Sequence, residues 1–186
     1  MAAASLLKYC YLAYLAKPVA ERSLYRLVRR HRVRRIVELG VGDTSRAQRL
    51  IQVAGRYHEP QDVAYAGIDL FEARPNEQAP LSLKSAYRQM TPLGARLQLI
   101  PGDPYSALAR AANSLTKTDL LLVAADQDLE SLRHAWFYVP RMLHENSQVL
   151  AEKVTADDEG EHRHYEVVSQ AEISRWADDA APRRAA

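Results

Sequence analysis

The sequence predicts an α/β protein built on a doubly wound, mostly parallel sheet. Three observations lead there. Short apolar runs ("RRIVELG", "VAYAGID", "RLQLI", "DLLLVAA", "SQVLAEKV") recur along the chain, and stretches with helical spacing of apolar residues separate each from the next. "DLLLVAA" is the most apolar of them, as expected of a central strand buried on both faces. Only "TADDEGE" lies between the fifth run and "HRHYEVV", too short for a crossover helix, so the last two strands should pair antiparallel as a C-terminal hairpin.

Taken in order, residues 5–16 and 19–31 read as two helices punctuated by Lys17-Pro18, with Pro18 suited to the first turn of the second, where a missing N–H costs nothing. Leu24, Leu27 and Val28 share a face of that helix. The apolar run at 9–16 is too short to span a bilayer and has no basic region ahead of it, so a packed leading helix is expected rather than a membrane segment or signal peptide. After the first strand, Ala47, Leu50, Ile51 and Ala54 mark a helix from Asp43 or Thr44 to about Gly55, capped by Asp43, Thr44 or Ser45. "LSLKSAYRQM" is a helix stopped before Pro92 and Gly94. Asp103-Pro104 opens the next one as N-cap and first helical residue. "LESLRHAWFYV" follows the fourth strand, and Pro140 should start a further turn through "PRMLHE". Ser169-x-x-Glu172 fits a capping box for a short last helix carrying Ile173 and Trp176, and "DDAAPRRAA" reads as a frayed tail.

The 186 residues fit one domain: helices over 1–34, the α/β core over 35–153, an edge strand and short helix over 154–178, and a tail over 179–186. Composition is that of an ordinary globular protein, 47% hydrophobic and 26% charged, and a net charge of +2 does not by itself imply a polyanionic partner. A single cysteine, Cys10, excludes an internal disulfide and suits a reducing cytoplasm; within its apolar run it should be a small buried hydrophobe.

In such sheets ligands bind beyond the carboxyl ends of the strands, here residues 38–45, 69–72, 101–104 and 124–128. In "VELGVGDTS", Gly40 permits a tight turn, Gly42 permits close approach of a ligand to the backbone, and the following helix aims its free N–H groups at the same place. A dinucleotide fingerprint would need a third glycine where Ser45 stands. Glu38, at the end of a buried strand, needs a partner, which a cationic ligand group, Arg35 or a backbone donor could supply. Asp69 ends the second strand, where an acid can accept both hydroxyls of a ribose or else serve as a turn residue.

Glu38-x-Gly40-x-Gly42, the acid at Asp69 and the βαβ pattern together resemble the class I S-adenosylmethionine-dependent methyltransferases, across roughly residues 19–153. The resemblance implies a Rossmann-like methyltransferase fold with S-adenosyl-L-methionine as cofactor. It places Glu38, Gly40 and Gly42 around the methionine part, Asp69 on the ribose and Asp103 near the adenine, where Asp103 can also be a helix N-cap. Thr44 stands where the family usually carries its third loop glycine. The cofactor has no pyrophosphate, so the close approach that demands this glycine is less needed.

Methyl transfer needs a positioned acceptor and often a base. The segment that reads Asp-Gly-Asp-His in small-molecule O-methyltransferase-like proteins is Ala124, Ala125, Asp126 and Gln127 here, which leaves Asp126 as the candidate catalytic group. Asp126, Asp128 and Glu130 can equally open a helix, and no metal site is expected from these acids or from the six histidines. "RLVRRHRVRR" (residues 26–35) holds six arginines, which could follow a nucleic-acid backbone or form a solvated helix face, and no aromatic residues interleave them. The expected function is methyl transfer to a small-molecule acceptor. The alternatives are a non-catalytic binding domain of the same fold and an RNA methyltransferase using the arginine run.

Overall fold

A computed structural model describes residues 4–157 and 160–181. Two helices lead, α1 (Leu6–Tyr14) and α2 (Glu21–His31), followed by β1 (Arg35–Leu39), α3 (Ser45–Ala54), β2 (Ala64–Asp69), α4 (Leu83–Met90) and β3 (Arg96–Pro101). Then come α5 (Pro104–Ala111), β4 (Thr118–Val123), α6 (Leu129–Ala135), β5 (Leu143–Asp157), β6 (Gly160–Val167) and α7 (Gln170–Asp179). The described strands form one sheet in the order β3-β2-β1-β4-β5-β6, parallel throughout except for the antiparallel β5–β6 pair. The expected fold class and terminal hairpin are what the chain adopts.

Alternation along the strands sorts the core into two layers. Ile36, Tyr65, Leu120 and Leu122 pack under α1–α4 with Leu24, Val28, Leu50, Ile51 and Met90. Val37, Leu39, Ile68, Leu121 and Val123 pack under α5–α7 with Leu108, Trp136 and Ile173. Side chains on successive strand residues point to opposite faces, so Glu38 points with Ile36 toward the α3 layer. The strand order reverses between β1 and β4, which places the switch point between Gly40 and Ala124.

Several local expectations need correction. Pro18 precedes α2, whose N-cap is Ala20, because the segment after α1 turns before the helix begins. Of the three candidate caps of α3, Asp43 is the one that serves, accepting the Ser45 N–H at 2.9 Å, while Thr44 at the N-cap position caps nothing with its side chain. The turn expected after Pro140 does not form. A 3₁₀ segment, Trp136–Arg141, already contains that proline, and the chain enters β5 at Leu143. Cys10 is exposed, because the buried stripe of α1 is Tyr9, Leu12 and Ala13. Asp103-Pro104 and Ser169-x-x-Glu172 cap as expected. Of the expected tail, 178 and 179 belong to α7 and 182–186 lie outside the described residues, as do 158 and 159 of the hairpin turn.

Candidate cofactor site at the carboxyl end of the sheet

Gly40 and Gly42 adopt φ of +87° and +63°, the left-handed region that favours glycine. The space over Gly42 is open, but a Cβ on Gly40 would lie 2.4 Å from Gln127 Nε2 and 2.8 Å from Ala124 Cβ. The crevice at the switch point is thus taken up by the segment after β4. Thr44, fully buried, also holds a left-handed φ of +74°. The position behaves conformationally as the glycine that the family places there. A β-branched residue is strained in this conformation, and two glutamines anchor it: the Thr44 hydroxyl donates to Gln89 Oε1 on α4 at 2.8 Å and accepts from Gln48 Nε2 at 2.9 Å.

Glu38 has found its partner inside the protein. Arg46 Nε on α3 lies 2.5 Å from Glu38 Oε1, and the Tyr65 hydroxyl donates to Oε2 at 2.5 Å. The same guanidinium donates to Gly40 O at 3.0 Å and to the Tyr165 hydroxyl at 2.8 Å, and lies 3.5 Å from Glu152 Oε2. Burial pushes the Glu38 carboxyl above its ordinary range against the pull of Arg46 and Tyr65. Burial works against the charge of Arg46 too, but Glu38, Tyr165 and Glu152 together outweigh it and hold Arg46 firmly charged. Neither Arg35 nor a ligand is needed. Arg35 sits at the other end of β1 and donates to Thr116 O. Arg46 is the functional neighbour that sequence reasoning missed. Its sign and its place in the first turn of α3, one turn beyond the glycine loop, were the available signals.

Asp69 is held by four donors. Oδ2 accepts the Val41 N–H at 2.8 Å and Oδ1 the Phe71 N–H at 2.9 Å. Arg74 closes on both oxygens, Nε to Oδ1 and Nη2 to Oδ2, each at 2.6 Å, and also donates to Gly42 O and Ala79 O. Burial works to raise this carboxyl, but the Arg74 fork and the two backbone N–H groups outweigh it and hold it below the ordinary range. Asp103 is likewise satisfied from within. It accepts from Tyr105 N, Ser106 N and the hydroxyls of Ser106 and Ser131. Burial works to raise its carboxyl, but these bonds together outweigh it and hold it at about 2.

The structure brings Asp69, Asp103 and Asp126 to one cavity, rimmed also by Gln78 and Gln127, of only about 40 Å³. Glu38 and Thr44 lie behind the loop in the α3 layer and do not face that cavity. Asp126 is exposed and accepts from Gln127 Nε2 at 3.0 Å, and Asp128 caps α6, accepting the Ser131 N–H at 2.7 Å. The arginine run is largely spent on structure. Arg26 donates to Ala13 O, Arg29 and Arg32 lie over the Tyr9 and Tyr57 rings, and Arg34 lies 3.4 Å from Asp62. No helix among the described residues is long and apolar enough to cross a membrane.

No family model and no curated protein matches the sequence. Solved structures do resemble it. A Nostoc punctiforme protein, provisionally named an O-methyltransferase, superposes with a TM-score of 0.52 at 13% identity, over 81% of this chain and 42% of that one. A TehB-like S-adenosylmethionine-dependent methyltransferase from Corynebacterium glutamicum gives 0.49 at 17% identity, over 94% of this chain and 79% of its own. At such identities the likeness is one of fold. With the strand order β3-β2-β1-β4-β5 and an antiparallel β6 beside it, this chain carries, in divergent form, the Rossmann-like fold of the S-adenosylmethionine-dependent methyltransferases.

Proposed function

We propose that the chain is an S-adenosylmethionine-dependent methyltransferase with a small-molecule acceptor, and that its cofactor cleft stands closed by its own side chains. The observation that carries this reading is Asp69. Its carboxylate ends β2 at the ribose position and is oriented by the backbone N–H groups of Val41 and Phe71, so its aim does not depend on Arg74. Gly40, Gly42 and the start of α3, shaped by Thr44, would face the methionine part, and Asp103 lies on the adenine side. The donors suit the cofactor in kind, but the space does not admit it. The cavity of about 40 Å³ compares with several hundred for sites that enclose ligands of this size. Arg74 must leave Asp69, and Gln127 must leave Gly40, before a cofactor can enter. Asp126 is not placed as a base while it holds Gln127. A small acceptor is favoured over RNA because Arg26, Arg29, Arg32 and Arg34 are engaged within the protein.

Titration calorimetry with S-adenosylhomocysteine tests this. The wild type is expected to bind weakly. Arg74→Ala, which no longer has an ion pair to break, should bind roughly 10- to 100-fold more tightly. Adding Asp69→Ala should remove the binding. No binding by either wild type or Arg74→Ala would overturn the reading.

A second reading has its own support. The Arg74 fork on Asp69 and the Gln127 side chain against Gly40 make the closed cleft part of the packing. On this reading the chain is a non-catalytic binding domain of the same fold. Cofactor binding without methyl transfer across an acceptor panel would favour it.

A further inference from the structure

Two adjoining hollows lie at the opposite end of the sheet from the cleft. We propose that the amino-terminal ends of β1, β2 and β3 form a second, independent site that takes the phosphoryl group of a small phosphorylated ligand, such as a sugar or nucleoside monophosphate.

The strand register builds it. Arg35 on β1, Ala64 on β2 and Arg96 on β3 are paired in one row. Residues in register on adjacent parallel strands point to the same face, and two strand spacings separate the arginines by about 10 Å. Between them the sheet offers only the methyl group of Ala64, and in the next row Ala66 stands between Val37 and Gln98. These small residues on β2 leave a cavity of about 280 Å³ lined by Arg35, Ala64, Ala66, Arg96, Gln98 and Thr116 among others. It opens onto a cleft of about 410 Å³ that shares Arg35 and Arg96 and adds Arg34 and Lys117.

Arg35 and Arg96 have no ion-pair partner among the described residues. Arg96 is exposed and has no side-chain hydrogen bond or ion pair among the described residues. Arg35 gives one N–H to Thr116 O, a contact suited to the carbonyl-rich turn after α5, and keeps the rest of its donors. The two acids of the cleft are already occupied. Asp62 lies 3.4 Å from Arg34, and Asp119 accepts the backbone N–H groups of Arg34 and Arg35 at 2.7 and 2.8 Å and contacts His144 Nε2 at 3.0 Å. Two guanidinium forks on either side of Ala64 match the three outer oxygens of a phosphate better than point charges would. A hollow of about 280 Å³ suits a phosphate with a sugar attached.

The test is a ¹H–¹⁵N NMR titration with ribose 5-phosphate, inorganic phosphate, ribose, and a single-stranded RNA oligonucleotide at matched chloride. Ribose 5-phosphate is expected to move the amides of Ala64, Ala66, Arg96 and Thr116. Inorganic phosphate should move the same set more weakly, and ribose alone should not. Arg96→Gln, an exposed change checked by an unaltered melting temperature, should weaken the affinity about tenfold or more, and Arg96→Lys should retain part of it. The proposal is overturned if these amides stay still, if they shift equally in Arg96→Gln, or if RNA binds along α2 while ribose 5-phosphate leaves the cavity untouched. In the wild type, rising chloride must also weaken the response to ribose 5-phosphate; indifference to salt would count against it. None of these outcomes depends on the cofactor cleft.

Discussion

Arg46 is the residue on which the interior of the first loop depends. It neutralises Glu38, satisfies Gly40 O and ties Tyr165 and Glu152 to the same point. Removing one partner of a buried pair leaves a bare charge, so Arg46→Ala should destabilise by about 3–5 kcal/mol, whereas an apolar pair at both positions should cost much less. A double-mutant cycle with Glu38→Met and Arg46→Met in denaturant checks this, and strict additivity of the two single costs would contradict it. Glu38 shows how far one residue could be understood from the sequence. That it needed a partner was legible from its place at the end of a buried strand. The identity of that partner was not, because the parity of β1 sends the carboxylate toward α3 and away from the cleft.

Among the elements, local chemistry decides the helix starts. Asp103 and Ser169 cap α5 and α7 as their sequence spacing dictates, and the Ser169–Glu172 capping box is complete in both directions. Ser169→Ala is expected to cost about 1 kcal/mol, read as a lower urea midpoint at unchanged slope, and Ser169→Gly less. No change in the midpoint would mean that α7 is held by packing alone, through Ile173 and the Trp136–Trp176 contact at 4.7 Å between ring centroids. The hairpin went further than its sequence suggested. β5 pairs with β4 as far as Ala151 and with β6 from Leu150 onward, so that Glu152 and Tyr165 stand side by side against Arg46. An antiparallel edge was readable from a short connection. Its service to the first loop was not, because that contact joins residues more than a hundred positions apart.

For the molecule as a whole, the two ends of the sheet differ in kind. The carboxyl end gathers acids that are already satisfied, and this gives a pH dependence. Asp69 and Asp103 have folded-state values below their unfolded ones. Their contribution is therefore complete above about pH 4 to 5 and is lost as pH falls through the folded values, for Asp103 at about 2. Glu38, shifted upward, works in the opposite sense over the carboxylate range. Urea midpoints measured from pH 6 to 2 should fall, and Asp103→Asn, which keeps a capping side chain, should flatten that fall. An unchanged slope in the variant would refute the assignment to Asp103. The amino-terminal end instead gathers arginines around a hollow, and no motif announced it, because Arg35, Ala64 and Arg96 meet only through strand register.

The sequence by itself determined the layers. Strand and helix periodicity, the short last connection and the caps at Asp103 and Ser169 are local signals, and short-range sterics and hydrogen bonding suffice to read them. It also determined that Gly40 and Gly42 make a tight turn at the end of the first strand and that Asp69 ends the second; the left-handed backbone of Thr44 emerged only in the fold. Only the tertiary structure decided what those acids face. Charge pairing and close packing are settled between distant elements, and here they set Arg46 on Glu38, Arg74 on Asp69 and Gln127 over Gly40.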